Sequence, residues 1–238
     1  MTFENVIPNI DAKALAARDI ETLEKVHHAA KNIGFMTLSN TVISADEVQK
    51  TLDMYRAFFK GDKENKQAVD MSATGSNRGW GGSRSEQVNP NANPDYKEVF
   101  DCGVEVAMDD PQAHLSVYAP NHWPSTPAEF QTHIKNYFTN TRAVAFDVLQ
   151  GLSEAIGADP DFFADKFDKP MALLRGNYYP QRPADATKHD FGIAAHTDYG
   201  CLTLLATDGQ AGLEVKLRDG QWVPLSASPG TFLSLIHI

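Results

Sequence analysis

The chain has 238 residues, 42% of them hydrophobic, and carries a net charge of −10 from 21 basic and 31 acidic side chains. That is enough apolar material to bury a core in one large or two small domains. An acidic chain without a basic run is poorly suited to a phosphate backbone, so nucleic acid is not an expected partner. The two cysteines, Cys102 and Cys201, stand far apart and in no C-x-x-C arrangement, which argues against a disulfide framework or a structural zinc site. The N-terminus has no basic stretch followed by an apolar one, and no apolar run is long enough to cross a bilayer. A soluble, cytoplasmic protein without a membrane partner is expected.

The first third reads as helical. In DIETLEKVHHAAKNIG, Ile20, Leu23, Val26, Ala30 and Ile33 fall at helical spacing and Gly34 supplies a stop. FMTLSN is extended, and Ser44 with Glu47 forms a capping-box pattern ahead of Val48, Leu52, Tyr55 and Phe59. The Gly-, Ser-, Asn- and Pro-rich stretch from Met71 to Asp95 reads as an irregular loop. A further helix is predicted to start at Thr126-Pro127-Ala128-Glu129 and to run to about Gly157. From Met171 the pattern is strand-like: MALLRGNYYP, then GIAAHTDYGCLTLLATDG, then GLEVKLRDGQWVPL turning on Asp219-Gly220. Helices first and antiparallel strands later predict an α+β fold, with a sandwich or barrel receiving helices on its outside.

Two strand faces carry chemistry. Residues two apart on a strand share a face, so His196 and Asp198 would project side by side. With one more imidazole from elsewhere, such a pair makes the facial triad of non-haem iron(II) sites, which leaves metal positions open for a cosubstrate and dioxygen. A hydrogen-bonded pair at a strand end is the alternative. In LLRGNYYP, Arg175, Asn177 and Tyr179 share one face, opposite Leu174, Gly176 and Tyr178. That polar face could grip a small carboxylate, or simply meet water on the outside of a sheet.

At these residues the chain resembles the isopenicillin N synthase-like 2-oxoglutarate/iron(II)-dependent oxygenases. The resemblance covers nearly the whole length. VIPNID with AAKNIGFMTLSN and YRAFFKGDKENK is similar to the N-terminal region, NRGW and DYKEVFDCG to the middle signatures, and NYYP, AAHTDYGCLTLL and GLEVKLRDGQWVPL to the catalytic core. It implies a distorted double-stranded β-helix, or jelly roll, with N-terminal and flanking helices. His196 and Asp198 would be ligands to Fe(II), and Tyr179 with Asn177 would line the 2-oxoglutarate site. Arg175 would look into the substrate cavity, and Arg78 would lie near its mouth. The implied reaction is oxidation of a small-molecule substrate with release of succinate and carbon dioxide, by a monomer. On this reading residues 1–110 are the N-terminal helical region and 111–232 the flanking helix and a partial jelly-roll core.

Two family features have no counterpart in the chain: a third ligand histidine well beyond the His-x-Asp, and an Arg-x-Ser pair further on that holds the 2-oxoglutarate carboxylate. His237 is the sole later histidine and falls too early. The ending LSLIHI also matches one reading frame of a common transposase mosaic-end adapter, CTG TCT CTT ATA CAC ATC. Residues 233–238 are therefore expected to be a non-native tail on an incomplete jelly roll; the alternative is an ordinary strand, since the segment alternates in part. A polypeptide of these residues alone is expected not to turn over. A non-catalytic, cupin-like binding protein would share the strands, and oxygen uptake by a longer polypeptide separates the two readings. The motifs of a serine hydrolase, a zinc protease, a P-loop or a Rossmann enzyme are missing.

Overall fold

The computed structural model describes residues 6–225 and 227–236, so His237 and Ile238 of the expected tail lie outside the described residues. The chain divides into two compact units. One comprises the residues up to Leu52, Asn136–Asp168 and those from Asp198 onward; the other comprises Asp53–Lys135 and Lys169–Thr197.

The first unit opens with β1 (Asn9–Asp11), α1 (Ala12–Ala16) and α2 (Ile20–His28). Asp11 caps α1 by accepting the Lys13 and Ala14 amides, and Asp19 caps α2 by accepting that of Thr22. Val26, Ala29 and Ala30 bury the apolar stripe, but Ile20, the first residue of the helix, is 75% exposed. The helix loosens into a π turn at Ala29–Ile33 and stops at Gly34, whose φ of +89° favours glycine, as the sequence predicts. Next come β2 (Phe35–Ser39) and α3 (Ala45–Phe59), which passes into the second unit after Leu52. The Ser44 hydroxyl accepts the Glu47 amide, as the capping box predicts.

The later strands of this unit are β6 (Leu202–Leu205), β7 (Leu213–Lys216), β8 (Trp222–Leu225) and β9 (Phe232–Ile236); β3 to β5 belong to the second unit. One sheet runs β1-β2-β9-β6, with β1 parallel to β2 and both neighbours of β9 antiparallel to it. Residues 233–236, expected to be either foreign or an ordinary strand, sit at the middle of this sheet, with Leu233 and Ser234 buried. The Asp219-Gly220 hairpin forms as predicted: Val215 lies opposite Val223, and Gly220 takes φ +91°. The expected strand through GIAAHTDYG is shorter than the sequence suggests. His196 to Gly200 is irregular, and among the described residues pairing with β9 begins at Leu202.

The second unit holds α4 (Lys63–Gln67), α5 (Met71–Thr74), β3 (Gly79–Gly81), β4 (Glu98–Gly103), the start of α6 (Phe130–Ala155) and β5 (Leu173–Tyr178). Its sheet is β3-β4-β5, antiparallel throughout. Helix α6 starts at Phe130 rather than at Thr126. Asn65 occupies the backbone that a capping box would need, accepting the Ser125 and Thr126 amides at 3.0 and 3.3 Å and donating to the Thr126 carbonyl at 2.8 Å. The core is aromatic. Phe58, Phe100 and Phe130 are fully buried, with ring centroids 5.1 Å apart for Phe58–Phe100 and for Phe100–Phe130. Gly176 faces this cluster from β5, and a Cβ there would stand 2.3 Å from the Tyr55 ring, so only glycine lets strand and ring approach this closely.

Candidate functional site

Strand β5 alternates as predicted. Leu174, Gly176 and Tyr178 turn towards the aromatic core, while Arg175, Asn177 and Tyr179 lie on the opposite, more exposed face. Arg175 stands opposite Asp101 of β4 and grips it with both arms of its fork, Nε to Oδ1 at 2.8 Å and Nη2 to Oδ2 at 2.6 Å. Its Nη1 donates to Glu86 at 3.0 Å. Lys97 Nζ lies 2.8 Å from Glu86 and donates at 2.9 Å to Asp95, and Asp95 and Lys97 are both buried. Five charges thus run in one chain, Asp101–Arg175–Glu86–Lys97–Asp95, inside a single unit.

Burial opposes charge at Glu86, Arg175 and Asp101, and the partners outweigh it at the first two. Burial raises the Glu86 carboxyl, but Lys97 and Arg175 outweigh it and hold it below the ordinary range. Burial likewise works against the Arg175 cation, and Asp101 and Glu86 more than offset it, so its pKa is raised. At Asp101 burial outweighs the Arg175 fork, so the carboxyl stands above its ordinary range, with the two donors within 2.8 Å working against that rise. Replacing Arg175 with methionine would leave the Asp101 carboxylate buried without its fork. The expected loss is about 2 kcal/mol, below the roughly 3–5 of a fully buried pair because a third of the arginine reaches solvent. Denaturant unfolding checks it, and Arg175→Lys should recover only part of the loss, lacking the bidentate fork.

Tyr179 is half exposed, with its ring against Gly192, where a Cβ would stand 2.8 Å from Cδ1. Burial of the phenol end, with the Asp95 charge adding, pushes it up to about 12. It therefore stays a hydrogen-bond donor at neutral pH. Arg78 is 5% exposed; Nη2 donates to the Val117 carbonyl at 2.6 Å and Nη1 to Asn77, while Nε has no partner among the described residues. Burial lowers its pKa.

The segment leading to His196 is laced to the Asn93–Tyr96 stretch of the same unit. Asn93 and Tyr96 donate their amides to the His189 and Phe191 carbonyls at 3.0 and 3.1 Å, and the Ala194 amide donates to Asp95 Oδ1 at 3.2 Å. Asp190 accepts the Thr187 amide and hydroxyl, each at 2.8 Å, and the Asn93 amide group at 2.9 Å, which together pull its carboxyl down to about 2. A depressed carboxyl stabilises the fold above its unfolded value and loses that contribution as pH falls through its folded one. Hydrogen-exchange protection in residues 187–194, taken relative to the intrinsic rate at each pH, should therefore fall as pH drops from about 4 to about 2. Asp190→Asn should flatten that dependence.

His196 is exposed, and its Nδ1 lies 2.8 Å from the Ala194 carbonyl oxygen. A carbonyl only accepts, so Nδ1 carries a proton, and in the neutral ring Nε2 then bears the lone pair, the form in which imidazole binds a metal. Asp198, in the other unit, accepts the Thr203 hydroxyl at 2.7 Å through Oδ2, and an ionised carboxylate has further acceptor capacity. A neutral imidazole and a carboxylate suit iron(II) in donor type. Among the described residues, no group of three or more His, Cys, Asp or Glu side chains is placed to hold a metal. The acidic and basic partners Asp95, Lys97, Glu86 and Asp101 were not legible as a set. The only hint is the i, i+2 spacing of Asp95 and Lys97 in an extended stretch.

The N-terminal region of non-haem dioxygenases in morphine synthesis matches residues 7–126, and the 2OG-Fe(II) oxygenase superfamily matches residues 170–237. A 2-oxoglutarate-Fe(II) type oxidoreductase of Aspergillus fumigatus is 29% identical over 220 residues, covering 90% of this chain and 65% of the relative. A homoarginine-6-hydroxylase of Arabidopsis thaliana is 28% identical over 251 residues, covering 97% and 67%. Among solved structures, a full-length Neurospora crassa protein in complex with alpha-KG and thymine superposes with a TM-score of 0.83 at 26% identity, covering 99% of this chain and 75% of that one. The chain thus spans about two thirds of the length of the curated relatives it matches.

Proposed function

The chain belongs to the 2-oxoglutarate/iron(II) oxygenase superfamily, whose fold is the double-stranded β-helix, and from that membership we propose that it oxidises a small organic molecule with dioxygen and 2-oxoglutarate, releasing succinate and carbon dioxide. The observation that carries this reading is His196, held by the Ala194 carbonyl in the tautomer that offers Nε2, two residues before a carboxylate.

In this reading His196 Nε2 and the Asp198 carboxylate hold the iron. Iron, when bound, supplies the open positions at which 2-oxoglutarate and dioxygen react. Tyr179 and Asn177 bind 2-oxoglutarate, with the phenol staying protonated and able to donate to a carboxylate. Arg175 and Arg78 act on the substrate side. The Arg175 fork is taken by Asp101 and Glu86, and Arg78 is spent largely on carbonyls, so they set the charge and shape of that side rather than offering two open cations. One relative is named for homoarginine and another was crystallised with thymine, and both molecules are small, polar and nitrogen-bearing. A substrate of that class fits an oxygenase whose candidate wall mixes carboxylates with guanidinium groups.

The protein is assigned to the cytoplasm as a monomer, with neither nucleic acid nor membrane as partner. Among the described residues no helix is long and apolar enough to cross a membrane. The test is succinate release with iron(II), 2-oxoglutarate and a panel of small nitrogenous molecules, using a polypeptide of the relatives' length. Succinate that depends on iron and on one of these molecules supports the reading; its absence across the panel favours a binding protein. A polypeptide of the 238 residues alone, which has no counterpart of the family's third ligand histidine or Arg-x-Ser pair, is expected to release none above background. Iron-dependent turnover by that polypeptide would contradict this.

A further inference from the structure

The ion-pair chain ends at the backbone that carries His196. Asp95 and Lys97 are 1% and 2% exposed, and their carboxylate–ammonium contact is 2.9 Å. A pair this deep is costly to bury and is often no more stabilising than apolar residues of like volume, so its placement calls for a reason beyond stability. Lys97 takes Oδ2 of Asp95, and the other oxygen, Oδ1, takes the Ala194 amide at 3.2 Å in a buried setting. The Ala194 carbonyl in turn lies 2.8 Å from His196 Nδ1. Ala194 is itself 2% exposed, so its amide has no solvent alternative to Asp95.

We propose that Asp95, held by Lys97, is a positioning residue for His196: it pins Ala194 through the amide, and Ala194 pins the imidazole through the carbonyl. This inference rests on the reading of His196 as a ligand. It assigns to Asp95 the choice of ring tautomer and ring direction, exerted through Ala194 and without contact to the metal. Outer partners that orient a ligating histidine typically change metal affinity by about 10–100-fold when removed. Asp95→Asn should act as strongly as Asp95→Ala. Its amide oxygen will turn to the Lys97 ammonium, which leaves an NH2 group facing the Ala194 N–H.

The experiment has two readouts on the protein: nitrogen-15 spectra of the imidazole rings, assigned with His196→Ala, and titration with cobalt(II) alone, followed by its visible absorption. Ile134→Val, a core change in the same unit, serves as the destabilised control. The expected result is a His196 ring protonated at Nδ1 in the parent. In Asp95→Ala and Asp95→Asn the tautomers should mix and cobalt(II) affinity should fall by about 10–100-fold. In Ile134→Val neither should change. An unchanged ring spectrum and affinity in either Asp95 variant would overturn the proposal. Cobalt(II) binding that survives His196→Ala would overturn the ligand reading itself, and that result is distinguishable because it needs no Asp95 variant.

Discussion

Asp198→Ala is expected to lower iron-dependent succinate formation by more than about a hundredfold in a polypeptide of the relatives' length, beyond the 10–100-fold typical of an outer partner. His196→Ala should do the same. An imidazole that offers Nε2 and an ionised carboxylate are different kinds of donor, so neither can take over the other's role. The fold should survive Asp198→Ala. The hydrogen bond from Thr203 that it removes is worth about 1 kcal/mol. A thermal melt beside the activity assay therefore separates loss of metal from loss of structure. Activity within tenfold of the parent in either variant would remove the residue from the proposed site.

Phe100→Ala should destabilise the second unit by about 3–5 kcal/mol, the range for emptying a buried aromatic site. Phe100 is fully buried at the middle of β4, and its ring packs against Tyr55, Phe58, Trp123 and Phe130. These neighbours are large and fixed by one another, so the cavity cannot close by small shifts. The same strand carries Asp101, the partner of Arg175, which means that the loss will reach the ion-pair chain. Equilibrium unfolding in denaturant measures it. A loss under about 1 kcal/mol would show a core that relaxes around the gap.

Much of this arrangement is legible in the residues themselves. The alternation in LLRGNYYP predicts which side chains of β5 face the core, and the structure agrees at each position from Leu174 to Tyr179. Asp219-Gly220 predicts its hairpin because the turn needs a residue at ease with positive φ. Local signals fail where a distant group takes over. Thr126 reads as a helix cap, yet Asn65 claims the backbone of that turn from far along the chain. His196 and Asp198 read as strand residues, yet the stretch from His196 to Gly200 is irregular, and among the described residues pairing with β9 begins at Leu202.

The ion-pair chain is hidden for a similar reason. Glu86, Asp95, Lys97, Asp101 and Arg175 come from a loop, an extended stretch and two strands, and no spacing rule links them. Each on its own is an ordinary surface charge. Only antiparallel pairing of β4 with β5, which sets Asp101 opposite Arg175, brings the carboxylates and cations within reach of one another. The family resemblance carries the candidate ligands onto His196 and Asp198, but the proton on His196 Nδ1 is indicated by a carbonyl contact that no sequence pattern encodes.

The most direct test is anaerobic visible absorption of a polypeptide of the relatives' length, titrated with iron(II) in the presence of 2-oxoglutarate. A charge-transfer band that needs both components, and that is absent from His196→Ala and Asp198→Ala, is the predicted result. No band in the parent, or a band that persists in both variants, would contradict an iron centre built on these two residues.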